Sequence, residues 1–478
     1  MKDFKRRDFL KTAAGVAAGT ALGTGSIILP SEVAAQAYKA APEKGAKLRV
    51  LRWKRFVQGD EDVWAENTKK FTAMTGIEVR VDAEGWEDVR PKAAVAANVG
   101  SGPDIIISTM EDAHQYPEKL VDVTDLANYL GNKYGGWYDS AKAYGMHGKN
   151  KWVAIMMGAA GNAIVYRDSH VKAAGFETVP KDLAGFLKLC QALKAKGTPS
   201  GFALGNATGD SSWTFWLLWA HGAKLVDEKN NVVINSPETI AALEYSKQLY
   251  ETFIPGTLSW LDPNNNKAFL DGQLSLTANG ISIYYAAKTS PDPKLLEMAK
   301  DIQHANFPIG VTGKQRELVL VFPMMIFKYS KYPNAAKEYL RFMMEKEQYV
   351  PWQQASIGYV CHPLAAYESS PFWTADPKVT PYRDCMKIMT PNGYAGEMGY
   401  ASAACTADFI IPNMVAEAAW GRRRRRKRRS ARRREQSATT KFENTSVPLT
   451  RDRLRIESAM NLARSIRLSR RASDHQGW

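Results

Sequence analysis

Cysteine and histidine are scarce. The chain has 4 cysteines and 7 histidines in 478 residues. Cys190, Cys361, Cys385 and Cys405 match no C-x-x-C or zinc-ligand spacing. The histidines, among them His114, His147, His170 and His221, are scattered without ligand-like intervals. H-E-x-x-H, G-x-S-x-G and the phosphate-binding loop are all missing. The one glycine-rich run, GTALGTG, does not follow a strand. These absences remove the common metal, nucleophile and nucleotide signatures, so no catalytic residue, metal or cofactor is expected. Beyond residue 29 there is also no apolar run long enough to span a bilayer.

Basic character is missing from most of the chain despite a formal charge of +15. Residues 421–478 hold 19 Lys+Arg against 5 Asp+Glu, and residues 1–37 hold 5 against 3. The body between them has a net charge of −1. It has no basic bias and gives no argument for nucleic-acid binding.

The N-terminal segment reads as an export signal. Lys5-Arg6-Arg7-Asp8-Phe9-Leu10-Lys11 is a twin-arginine pattern, followed by a small-residue apolar run from Ala13 to Leu29. Four glycines make that run too weakly hydrophobic for a stable membrane span. Ala35-Gln36-Ala37 is an A-x-A cleavage site, so the mature chain is expected to begin at Tyr38 in the periplasm. Such a compartment permits disulfides. Cys190 is expected as a core thiol, with a bridge open between two of the other three.

From Leu48 to Ser108 the pattern alternates strand, helix, strand, helix, strand, with Gly76 expected to cap the first helix. This order predicts right-handed crossovers and a parallel sheet, with ligands outside the carboxyl ends of the strands. Those ends carry Trp53, Arg55, Glu84, Trp86, Glu111 and Asp112. A second unit begins near Lys151, after which Met156 to Asn162 is small and polar-tolerant, as a hinge crossing requires. At this length two lobes are expected.

Tryptophan is abundant in one stretch. In GFALGNATGDSSWTFWLLWAHG, Asp210 precedes Trp213, Trp216 and Trp219 at a spacing of three, along one helical face. Trp219 reads as core. Trp213, just after the polar turn Thr208 to Ser212, pairs an apolar ring face with the Asp210 acceptor, the combination a sugar ring requires. Next, VVINSPETIAALEYSKQLYE predicts a helix with Ser236 at the N-cap and Pro237 at its first position. Then AFLDGQLSLTANG predicts a helix ending at Gly272 and a strand broken at Asn279-Gly280.

These three segments, in this order and spacing, resemble the extracellular solute-binding proteins of ABC sugar importers, in the branch similar to maltose-binding protein. The resemblance runs over roughly residues 46–420. It implies an α/β two-lobe periplasmic binding protein fold whose chain crosses between lobes at a hinge. Lobe one would comprise residues 38–155 and 304–333, and lobe two 156–303 and 334–420. It implies a carbohydrate or polyol held in the cleft, delivery to an inner-membrane ABC permease, and a monomer that does no chemistry. Tyr359 in SIGYV matches a family position near the cleft. The residues expected around the ligand are Trp53, Arg55, Trp86, Glu111, Asp112, Asn162, Asp210, Trp213, Trp260, Asp262, Asn279, Gly280, Trp352 and Tyr359. Asp210, Glu111, Asp262 and Asn279 have an alternative use as caps or turn formers. The competing function is a secreted carbohydrate-active enzyme, with Glu84 and Asp210 paired across the cleft.

The resemblance stops near Trp420, where the chain changes to GRRRRRKRRSARRRE. A GC-rich Ala/Lys/Glu-coding stretch read one base out gives such a run, so residues 421–478 are read as a frame-shifted, disordered tail. The alternative is a polyanion-binding tail for nucleic acid or an anionic membrane. The coding DNA around codon 420 separates the two.

Overall fold

The computed structural model describes residues 38–420 except Lys39 and Arg55. The expectations for the export segment, for Arg55 and for the basic tail therefore lie outside the described residues. Among the described residues no helix is long and apolar enough to cross a membrane.

The first sheet has five strands in the order Glu78–Glu84, Lys47–Trp53, Ile105–Ile107, Leu320–Ile326, Ile155–Ala160. The first three are parallel, with Val50 opposite both Val81 and Ile105. The helices Gln58–Thr75 and Trp86–Val99 make the crossovers. Each ends on a glycine at positive φ, Gly76 at 73° and Gly100 at 73°, where a Cβ would be strained. Ile105, Ile106 and Ile107 are fully buried, as expected for a strand covered on both faces. Leu320–Ile326 returns antiparallel to both of its neighbours.

The second sheet has three strands. Ala163–Arg167 lies between Leu276–Asn279 and Ile302–Ala305, antiparallel to each. Helix Pro237–Tyr250 starts as the sequence predicts: the Ser236 side chain accepts the Thr239 N–H at 3.2 Å, and Pro237 occupies the first turn. Helix Trp213–Ala220 is buried on every side rather than along one stripe. It packs against Pro237–Tyr250 and Ile410–Ala419, the last helix among the described residues.

Sheet partnerships locate the links between the two sheets. Ile155–Ala160 pairs within the first sheet, and Ile302–Ala305 pairs within the second. The connecting segments are therefore Gly161–Asn162 and residues 306–319. Helices Pro333–Met344 and Lys346–Ala355, expected in lobe two, pack instead on helix Gln58–Thr75. The reason is aromatic complementarity. Tyr339 meets Phe71 edge-on at 5.1 Å, Trp352 meets Trp64 at 5.8 Å, and the Tyr339 hydroxyl lies 2.8 Å from that of Thr68. All four cysteines are free thiols.

Candidate functional site

A cavity of about 390 Å³, open mouth included, lies between the two sheets. Phe56, from the loop after the first parallel strand, and Trp86, the first residue of the helix after the second, both lie beyond carboxyl strand ends, as the carboxyl-end rule requires. Ala160, Gly161 and Asn162 come from the first crossing, and Leu320 from the returning strand. The opposite wall is formed by Gly209, Asp210, Asp262, Asn279, Gly280 and Ser282, and Tyr359 closes one side. The walls approach closely: a Cβ on Gly209 would come 2.9 Å from Leu320 Cδ2. Across the cleft the Gly59 N–H donates to the Tyr285 hydroxyl at 2.8 Å.

Trp86 is the front ring of an aromatic stack. Its centroid is 4.6 Å from that of Trp53 at 16°, and Trp53 is 4.6 Å from Phe322 at 27°. Trp53 is therefore backing rather than lining. Its indole N–H donates to Asp60 Oδ2 at 3.1 Å. Asp60 also takes Arg52 at 2.5 Å and the Trp352 indole at 2.8 Å. That buried ion pair needs such extra donors to offset its desolvation.

Asp262 organises the facing loop. From the first turn of helix Asp262–Leu270 its oxygens accept the N–H groups of Thr208 at 3.1 Å, Gly209 at 3.0 Å and Asp210 at 2.8 Å. Burial pushes its carboxyl up to about 6, with the three backbone donors opposing the shift. Asp210 has no such backbone donors, and only the Asn265 side chain opposes its shift. Its Oδ2 is enclosed without a hydrogen-bond partner. Burial, then the Asp262 charge, raises its carboxyl well above the usual range. Asn162 is 8% exposed, and neither its amide oxygen nor its amide nitrogen is partnered. Unpaired buried polar atoms are costly, so three of them around one cavity mark places where ligand groups would bind. Asn279 is better satisfied: its amide donates to Asn266 and its oxygen accepts the Ser282 hydroxyl at 3.1 Å. Burial, then the charges of Asp60, Asp262 and Asp210, pushes the Tyr359 phenol far up, so it remains a proton donor.

Seven of the residues expected from sequence line the cavity: Trp86, Asn162, Asp210, Asp262, Asn279, Gly280 and Tyr359. Six others do not. Besides Trp53 and Trp352, Trp213 is 1% exposed, gives its indole N–H to the Ala203 carbonyl at 2.7 Å and packs edge-on to Phe202. Trp260 covers Gly201, where a Cβ would lie 3.1 Å from its ring. Asp112 pairs with Arg90 at 2.8 Å and takes the Ser108 hydroxyl. Glu111 is buried away from the cavity, beside Thr406 and Asn392. Glu84, considered as an enzymatic partner of Asp210, is instead ion-paired with Lys92 outside the lining. Sequence reasoning did not place Phe56, Ala160, Gly161, Gly209, Ser282 and Leu320 around the ligand, although it singled out Ala160 and Gly161 as part of a crossing. Phe56 and Gly209 adjoin the strand end and the polar turn already singled out, whereas Leu320 carries no signal in an apolar strand.

Comparisons with known proteins agree with this architecture. A family profile described as bacterial extracellular solute-binding protein matches residues 66–381, and a twin-arginine translocation signal matches residues 3–23. Maltose-bound MalE3 of T. maritima superposes with a TM-score of 0.68 at 16% identity, covering 88% of this chain and 99% of that one. The GacH receptor of Streptomyces glaucescens gives 0.65 at 17%, covering 89% and 98%. A solute-binding protein of Agrobacterium radiobacter K84 in complex with ribitol gives 0.61 at 19%, covering 78% and 97%. No curated protein matches the chain.

Proposed function

The chain belongs to the bacterial extracellular solute-binding protein family, and from that premise we propose that it is the periplasmic receptor of an ABC importer. It binds a carbohydrate or polyol between its lobes and delivers it, unaltered, to an inner-membrane permease. The observation that carries the solute class is the cavity itself. The Trp86 and Phe56 rings offer apolar faces to C–H groups, while Asp210 Oδ2 and the Asn162 amide offer unpartnered acceptors and a donor to hydroxyls. Trp86, Asn162, Asp210 and Tyr359 are the residues we assign to ligand contact, with Asp262 positioning the 208–210 loop. Structural neighbours bound to maltose and to ribitol support the same reading.

A thermal-shift screen of the mature protein against sugars and polyols tests the reading, because a ligand that binds only the folded state raises the melting temperature. Product analysis on every hit follows. Turnover of a bound sugar would replace the receptor with an enzyme, and a panel without any hit would remove the carbohydrate.

A further inference from the structure

The described walls of the cavity carry charge of one sign. Asp210 and Asp262 line it, and Glu87 acts on Asp262 from the other side of the cleft. No lysine, arginine or histidine occurs among the described lining residues. Asp262 already holds three backbone N–H groups, whereas Asp210 Oδ2 is enclosed with no partner. Two neighbouring carboxylates enclosed beside one cavity cannot both be ionised cheaply, so Asp210, which has only the Asn265 side chain to support it, needs either a proton or a cation. The remaining lining is aromatic and amide: Trp86, Phe56 and Tyr359 with Asn162 and Asn279. Aromatic faces beside a carboxylate suit an organic ammonium, which is attracted both by the ring faces and by the anion.

Resting on the carbohydrate or polyol reading, we infer that the solute is a polyhydroxylated amine, an amino sugar or amino polyol, whose ammonium group is held by Asp210. Its hydroxyls take the Asn162 amide, and its apolar face lies against the aromatic wall. A neutral solute would leave Asp210 either protonated or ionised without a counter-charge. The ammonium supplies that counter-charge, and an acidic solute would add a third anion to the same space.

Calorimetric titration near neutral pH tests this with matched sets: glucose, glucosamine and glucuronate; galactose and galactosamine; sorbitol and 1-amino-1-deoxysorbitol. The aminated member of at least one set should bind about tenfold more tightly than its neutral parent, and glucuronate should not bind. Asp210→Asn should erase the preference for the amine while keeping the parent melting temperature. A neutral member that binds as tightly as its amine, or any binding of glucuronate, overturns the inference and leaves the sugar receptor intact. If no member of any set binds, the carbohydrate reading falls and this inference with it.

Discussion

At the scale of single residues, two tryptophans of equal bulk have opposite roles. Trp86 has one ring face on Trp53 and borders the cavity, so its truncation removes ligand contact. Trp213 is enclosed by Phe202 and Phe253, and its indole N–H is spent on a carbonyl. Trp86→Ala is expected to weaken ligand binding by roughly 1–3 kcal/mol, about ten- to hundredfold. Trp213→Ala should cost about 3–5 kcal/mol of stability through the space it opens. In whatever population stays folded, it should leave affinity nearly unchanged. Calorimetry paired with urea melts on both variants separates the two. The reverse pattern, with Trp213→Ala the binding mutant, would move the site to the second lobe's core.

At the scale of elements, the local signals were legible in the sequence and the partnerships were not. Ser236 and Pro237 announce a helix start, Gly76 a helix end, and the alternation up to Ser108 a parallel sheet, because each depends only on its neighbours in the chain. Whether Trp213, Trp352 or Glu111 faces a ligand depends on what another element brings. Trp352 meets Asp60 across nearly the whole lobe, and no spacing within its own helix encodes that. Of the expected residues, Asp210, Asn162 and Trp86 line the cavity, as polar turns and strand ends tend to do. Glu111 sits where the short turn Asp112–His114 meets helix Tyr400–Ala407. Arg90 and Tyr144 act on it from lobe one, and Asn392 and Thr406 lie beside it, but neither oxygen makes a well-formed hydrogen bond. Burial raises its carboxyl to about 7, with Arg90 opposing. The folded state then keeps a proton that the unfolded chain has lost, so stability falls as pH rises from the ordinary carboxylate range through about 7. Glu111→Gln removes that dependence. The variant should match the parent near pH 5 and exceed it at pH 8, on the order of 1–3 kcal/mol. Paired melts at the two pH values check this. An equal shift at both would show that the carboxyl titrates normally.

At the scale of the whole molecule, two sheets share one cavity, an arrangement suited to a hinge motion. The links at Gly161–Asn162 and 306–319 begin and end beside each other, where Ala160 pairs with Leu320 and Ile164 with Ala305, and Asn162 lines the cavity. A solute bridging the walls therefore favours the closed arrangement by its differential affinity, as population shift requires. The start of helix Gln58–Thr75 lies against helix Ser282–Lys288, where the Gly59 N–H meets the Tyr285 hydroxyl. Gly59 is fixed in that role: a Cβ there would lie 2.0 Å from the Ala355 carbonyl oxygen. Small-angle scattering should give a smaller radius of gyration with saturating solute than without it. Tyr285→Phe keeps the ring and removes the acceptor, so it should close equally at saturation. Its affinity should fall several-fold, about 0.5–1.5 kcal/mol for one hydrogen bond, mainly through faster release. An unchanged radius on binding would remove the hinge motion. An unchanged release rate in Tyr285→Phe would mean that this contact forms without holding the lobes together.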